Sequence, residues 1–102
     1  MTRLLDPLEV ARQLEALPGW STDGESLRRS IEFPSFPEAV AAVAMLAIDA
    51  EEMNHHPDID IRWRTTRWLL TTHDAGGLTQ LDIVLAHRIS AAARAQGASV
   101  GG

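Results

Sequence analysis

Residues 59–72 read IDIRWRTTRWLLTT, and the phase of their apolar side chains sets the architecture. Ile59, Ile61 and Trp63 occupy odd positions, whereas Trp68 and Leu70 occupy even ones. Side chains of a β-strand alternate between faces, so one flat strand cannot bury both sets on a single face. A tight turn near Arg64-Thr65 resolves the conflict and makes the segment a hairpin. Beyond the turn, Trp68, Leu70 and Thr72 face the core, while Arg67, Leu69, Thr71 and His73 share the opposite face.

A second hairpin lies upstream. Gly19-Trp20 leads into a short strand, Asp23-Gly24 is a hairpin-turn signal, and Leu27 to Phe33 alternates. Leu27, Arg29, Ile31 and Phe33 fall on one face, with Arg29 a basic intrusion among apolar neighbours. Three helices flank these hairpins. The first opens at Asp6, with Pro7 at the first helical position and Glu9 completing a capping box. Leu8, Ala11, Leu14 and Leu17, with Val10 at one flank, form its apolar stripe before Pro18-Gly19 stops it. The second opens at Ser35, with Glu38 as its box partner, and presents Phe36, Val40, Val43, Ala47 and Ala50 on one side. It ends near Asn54, because Pro57 forbids continuation. The third starts at Thr79, carries Leu81, Leu85, Ile89 and Ala92 at helical spacing, and ends at Gly97. The order α-β-β-α-β-β-α predicts an α+β fold: a four-stranded antiparallel sheet with three helices packed on one face. Residues 1–97 make one domain and 98–102 a flexible tail.

Composition narrows the function. A chain of 102 residues is one small domain, for which oligomerisation is a source of extra burial. No cysteine is present, which excludes disulfides and thiolate metal sites. Asp6 and Glu9 come too early for a signal-peptide core, and the apolar run from Ala39 to Ile48 is too short to span a bilayer. These features predict a soluble cytoplasmic protein. A net charge of −5 argues against nucleic-acid binding, which rests on neutralising phosphates. Arg62, Arg64 and Arg67 alternate with Trp63 and Trp68, but an amphipathic strand with its polar face in water accounts for them better than a single-strand-binding stripe.

The chemistry lies in histidines. Residues 51–58 read EEMNHHPD and residues 71–82 read TTHDAGGLTQLD. Imidazole exchanges protons near neutrality, so His55, His56 and His73 at element ends suggest proton transfer. Glu51 and His55 are four apart and share a helix face, where a carboxylate orients an imidazole and favours its charged form. Asp82 follows Thr79 at capping-box spacing, which makes it a fixed acceptor. Trp20 is a core anchor or a wall for a planar ligand. His87 is assigned no role. Zinc is disfavoured because no HExxH or HxH spacing occurs, and no GxSxG motif points to a serine hydrolase.

Glu51-x-x-x-His55-His56-Pro57, sixteen residues between His56 and His73, Thr72-His73 and Gly77-Leu78-Thr79-x-x-Asp82 together resemble the pterin-4a-carbinolamine dehydratase family. Gly19-Trp20 and the element order extend the resemblance over nearly the whole chain. It implies dehydration of 4a-hydroxytetrahydropterins to quinonoid dihydropterins in tetrahydropterin recycling, without metal or organic cofactor. It implies that His55, His56 and His73 are the active-site histidines, with Glu51 and Asp82 as supporting carboxylates and Trp20 as the pocket tryptophan. It also implies a homodimer or homotetramer. Some members act as a dimerisation cofactor of a transcription factor, and some relatives with eroded sites assist carboxylase assembly, so a non-enzymatic binding module is the competing expectation. Trp63 replaces the family's usual tyrosine, and Arg64-Thr65 its usual turn.

Overall fold

A computed structural model describes residues 3–99. Helix α1 (Pro7–Leu14) is followed by strands β1 (Ser21–Thr22) and β2 (Leu27–Glu32), helix α2 (Phe36–Met53), strands β3 (Asp58–Arg62) and β4 (Thr65–Leu70), a 3-10 turn (His73–Ala75) and helix α3 (Gln80–Ala95). The four strands form one antiparallel sheet in the order β1-β2-β4-β3. The expected α+β order is the one found. No helix among the described residues is long and apolar enough to cross a membrane.

Register follows from the side chains. On β2, Leu27, Arg29 and Ile31 are buried and alternate with exposed residues, as the period of two requires. They pair with Leu70, Trp68 and Thr66 on β4, whose buried residues continue the same face. The phase flip is taken up at Trp63 and Arg64. Trp63 adopts a left-handed φ of 58° without being glycine, and the Arg64 guanidinium lies 5.3 Å from its ring centroid. Edge strand β3 keeps Ile59 and Ile61 partly exposed. Of the arginine–tryptophan stripe, Trp68 is core, and its Nε1–H donates to Thr66 Oγ1 at 2.7 Å; Arg67 lies on the open face.

Helix ends match their sequence signals at α1 and α3. Asp6 with Glu9, and Thr79 with Asp82, form complete capping boxes. At α2 the expected box is absent: the Ser35 hydroxyl donates to the Glu38 carboxylate, and the Ser35 side chain caps no backbone N–H.

Two helix faces differ from expectation. On α1, Val10 is buried, whereas Leu8 is 75% exposed and Ala11 faces solvent. On α2, Ala39, Ala42, Leu46 and Ala50 turn inward, while Phe36, Val40 and Ala47 turn outward. Alanines lining the inner side let α2 approach α3, against which it packs, since interiors fill space closely. Because α2 is apolar around most of its circumference, the bulkier stripe was no guide to the inner face. The expected tail also begins inside the fold: Ala98 is buried, and its N–H donates to the Ala93 carbonyl at 3.0 Å. Residues 100–102 of that stretch lie outside the described residues.

Leu46→Ala should cost about 2–5 kcal/mol, the usual range for a buried leucine, whereas Leu8→Ala should stay within about 0.5 kcal/mol, as exposed positions do. Urea unfolding of both variants checks the assignment of faces. The β1–β2 turn carries its own acid-sensitive contact. Asp23 accepts hydrogen bonds from the backbone N–H groups of Glu25 and Ser26 and from the Ser26 hydroxyl, and these, with Arg28 nearby, hold its carboxyl at about 2. A depressed carboxylate stabilises the fold above its unfolded value and loses that contribution as pH falls through the folded one. Carbon-detected NMR titration should find the Asp23 midpoint near 2, with turn resonances broadening over the same interval. A midpoint near 4 would contradict it.

Candidate functional site

The site is built where three chain segments end. Helix α2 stops at Asn54, which takes a left-handed conformation (φ 50°, ψ 43°). Asparagine tolerates this region, and such a residue commonly terminates a helix. The N–H of His55 then closes back onto the Ala50 carbonyl at 3.0 Å. This reversal swings His55 out of the helical progression and inward, where it is 8% exposed.

Its partner is Asp82 in the first turn of α3, which is fully buried. His55 Nε2 lies 2.6 Å from Asp82 Oδ1. The other carboxylate oxygen, Oδ2, accepts from the Thr72 hydroxyl at 2.8 Å and from the Thr79 N–H at 3.0 Å. Thr72 and Thr79 hydroxyls are themselves 2.8 Å apart. A buried carboxylate needs such a set of donors to offset lost hydration. Engaging Nε2 fixes the imidazole plane and leaves Nδ1 as the nitrogen that Asp82 does not hold.

His55 and Thr72 line a cavity of about 760 Å³, with Leu4, Asn54, Asp74 and Leu81 among its other walls. The loop below is closed by Thr72, whose N–H donates to the Gly77 carbonyl at 2.9 Å. Its walls mix polar side chains with apolar ones in about equal measure, and a concave site of this size has room for a small organic ligand.

The sequence-predicted residues divide into groups. His55 and Asp82 are in direct contact. His56 pairs with Glu51 at 2.8 Å between exposed side chains. This corrects the expected Glu51–His55 pairing: helical spacing holds only while the helix continues, and Asn54 interrupts it. His73 begins the 3-10 turn beside Thr72 and is exposed. Trp20 stands apart. It is buried, and its Nε1–H donates to Ser90 Oγ at 3.0 Å. Ser90 lies eight residues beyond Asp82 on α3, about 12 Å along the axis at 1.5 Å per residue. Asn54 and Asp74 joined the site without being singled out in the sequence, and Thr72 was quoted there only within the Thr72-His73 motif, with no role assigned. The core-facing phase of Thr72 was the available signal, whereas Asp74 carries none beyond its place in a strand-end loop.

Comparison with known proteins places the chain in a family. The family model described as pterin 4 alpha carbinolamine dehydratase matches residues 3–92. Two relatives, each named "Putative pterin-4-alpha-carbinolamine dehydratase", come from Nocardia farcinica and Mycobacterium tuberculosis. The first is 48% identical over 93 residues, covering 91% of this chain and 98% of its own. The second is 53% identical over 83 residues, covering 81% and 88%. Among solved structures, a transcriptional coactivator/pterin dehydratase from Brucella melitensis superposes with a TM-score of 0.85 at 34% identity, covering 89% of this chain and 99% of that one. A pterin dehydratase-like RuBisCO assembly factor of the alpha-carboxysome, 23% identical, shares the fold with a TM-score of 0.60 over 72% of this chain and 86% of its own. By the family match over nearly its full length, this chain belongs to the pterin-4a-carbinolamine dehydratase family.

Proposed function

We propose that this chain dehydrates 4a-hydroxytetrahydropterins to quinonoid dihydropterins, with His55, His56 and His73 as its acid–base groups. The observation that carries this reading is the buried His55–Asp82 pair, whose imidazole lines a ligand-sized cavity. The reaction breaks the C4a–O bond, removes the N5 proton and forms the C4a=N5 double bond, with water leaving. It therefore needs one group that delivers a proton to the departing hydroxyl and one that accepts the proton of N5. No nucleophile is required.

Asp82 holds His55 by Nε2, which presents Nδ1 as the exchanging nitrogen. In this reading His55 and His73 act as acids toward the hydroxyl on different faces of the pterin. His56, steadied by Glu51, binds the ring and assists loss of the N5 proton. Two imidazole–carboxylate pairs on adjacent residues, one buried and one exposed, suit this division. A binding or assembly role alone would not require Asp82 to be buried against an imidazole.

Stopped-flow dehydration of freshly generated 4a-hydroxytetrahydropterin tests the reading. Wild type should accelerate the reaction over buffer, and the His55→Ala variant should lose about a hundredfold or more, the lower end of general acid–base contributions. Asp82→Asn should cost a comparable factor, because an amide holds the imidazole in the wrong tautomer. Full rate in all three single alanine variants of His55, His56 and His73 would reject the assignment.

We further propose that copies of this chain associate through α2. Phe36, Val40, Ala44, Ala47 and Ile48 recur at helical spacing on its outward side, and Phe36 is 51% and Ile48 65% exposed. A helix that is apolar around most of its circumference is ordinarily covered on more than one side. Light scattering after size exclusion should give a mass that is a multiple of 11.1 kDa, and Ile48→Asp should return it to the monomer. A monomeric wild type at high micromolar concentration would overturn this.

A further inference from the structure

A second, smaller cavity of about 110 Å³ lies between the Leu17-Pro18 corner and the C-terminal half of α3. One of its walls is Arg29, the basic residue that interrupts the apolar face of β2. Arg29 is only 6% exposed, yet no carboxylate among the described residues lies in ion-pair range of it. Its guanidinium donates through Nη1 to Ser90 Oγ at 2.9 Å, and its Nε is buried with no partner among the described residues. Gly19 crowds the same group: a Cβ there would lie 2.8 Å from Nε. A buried cation without a counter-charge is costly.

The other polar groups of the cavity do not answer that charge. Ser90 Oγ already accepts from both Trp20 Nε1 and Arg29 Nη1. A hydroxyl has two lone pairs and one proton, so what Ser90 has left to offer is a donor. Arg94 and His87 also line the cavity, and no acidic side chain does. Arg94 adds to burial in pulling the Arg29 guanidinium below its ordinary value, as one cation does beside another. The cavity thus gathers two guanidinium groups, a spare hydroxyl proton and an imidazole around a space of small-ion size, in a chain whose net charge is −5.

We infer that this cavity is a binding site for a single oxyanion, a phosphate or carboxylate group, held by Arg29, Arg94 and the Ser90 hydroxyl. Guanidinium groups match the paired oxygens of both anions in bidentate geometry. The site is separate from the cavity at His55, since Ser90 and Asp82 are eight residues apart on α3, and it does not depend on the dehydratase reading. Trp20 and Gly19 then acquire a purpose outside pterin chemistry: the indole orients Ser90, and the missing Cβ leaves room for the guanidinium.

The experiment is an NMR titration of the full chain with inorganic phosphate and, separately, with sodium acetate, at ionic strength held constant with sodium chloride. Saturable shifts of the Arg29 Nε–H, Ser90 and His87 signals are expected, and the anion that produces them identifies the source. Arg94→Ala, at an exposed side chain that leaves the fold intact, should weaken binding at least tenfold. Arg29→Gln should abolish it. Absence of saturable shifts with both anions, shifts equally produced by chloride, or unchanged affinity in Arg94→Ala would each overturn the inference.

Discussion

A carboxylate leaves water only when donors replace the water, and Asp82 is buried with three of them. Its Oδ1 meets the ring of His55 at the end of α2, and its Oδ2 meets Thr72 after β4 and the backbone N–H of Thr79 before α3. One side chain therefore ties together the three segments that wall the cavity. The same group completes the N-terminal capping box of α3, so the helix end and the site share one anchor. Displacing it would loosen the helix start, the strand exit and the orientation of the imidazole together. Such coupling is common where buried polar networks fix a unique arrangement.

Helix α3 also bears a second polar junction at Ser90, which receives Trp20 from the α1–β1 corner and Arg29 from β2. The two junctions occupy the same helix, one in its first turn and one past its middle. Between them the helix is lined by Ile83, Leu85, Ala86 and Ile89, all buried. Packing of α2 and the sheet against this apolar stretch holds the ends in place. The first junction borders the larger cavity and the second the small cationic one, so a single rigid element contributes to both without sharing a residue between them.

Much of this was legible from residue order. The phase flip between Ile61 and Trp68 required a hairpin, and the alternation of Leu27 to Phe33 required a strand with Arg29 on its inner face. Capping signals marked the starts of α1 and α3 at the correct residues. Where reading failed, the physical reason is identifiable. On α2 the apolar residues take up most of the circumference and the acidic Glu38, Asp49 and Glu52 leave only a narrow polar stripe, so two apolar sides competed, and the small side chains won the interior because they let two helices come close. On α1, Leu8 lost to Val10 because a single short helix of eight residues offers too few turns for its stripe to be distinctive.

The sequence by itself determined the order of elements, the register phase of the sheet and the presence of three histidines at element ends beside two carboxylates, because each depends on periodicity or on short-range chain geometry. Only the tertiary structure decided which imidazole meets which carboxylate. Helical spacing assigned Glu51 to His55, but a left-handed Asn54 turns the chain just before His55 and passes Glu51 to His56. His55 is thereby released to a carboxylate 27 positions away. A contact of that separation is set by how the third helix packs on the sheet, and no local spacing rule contains it.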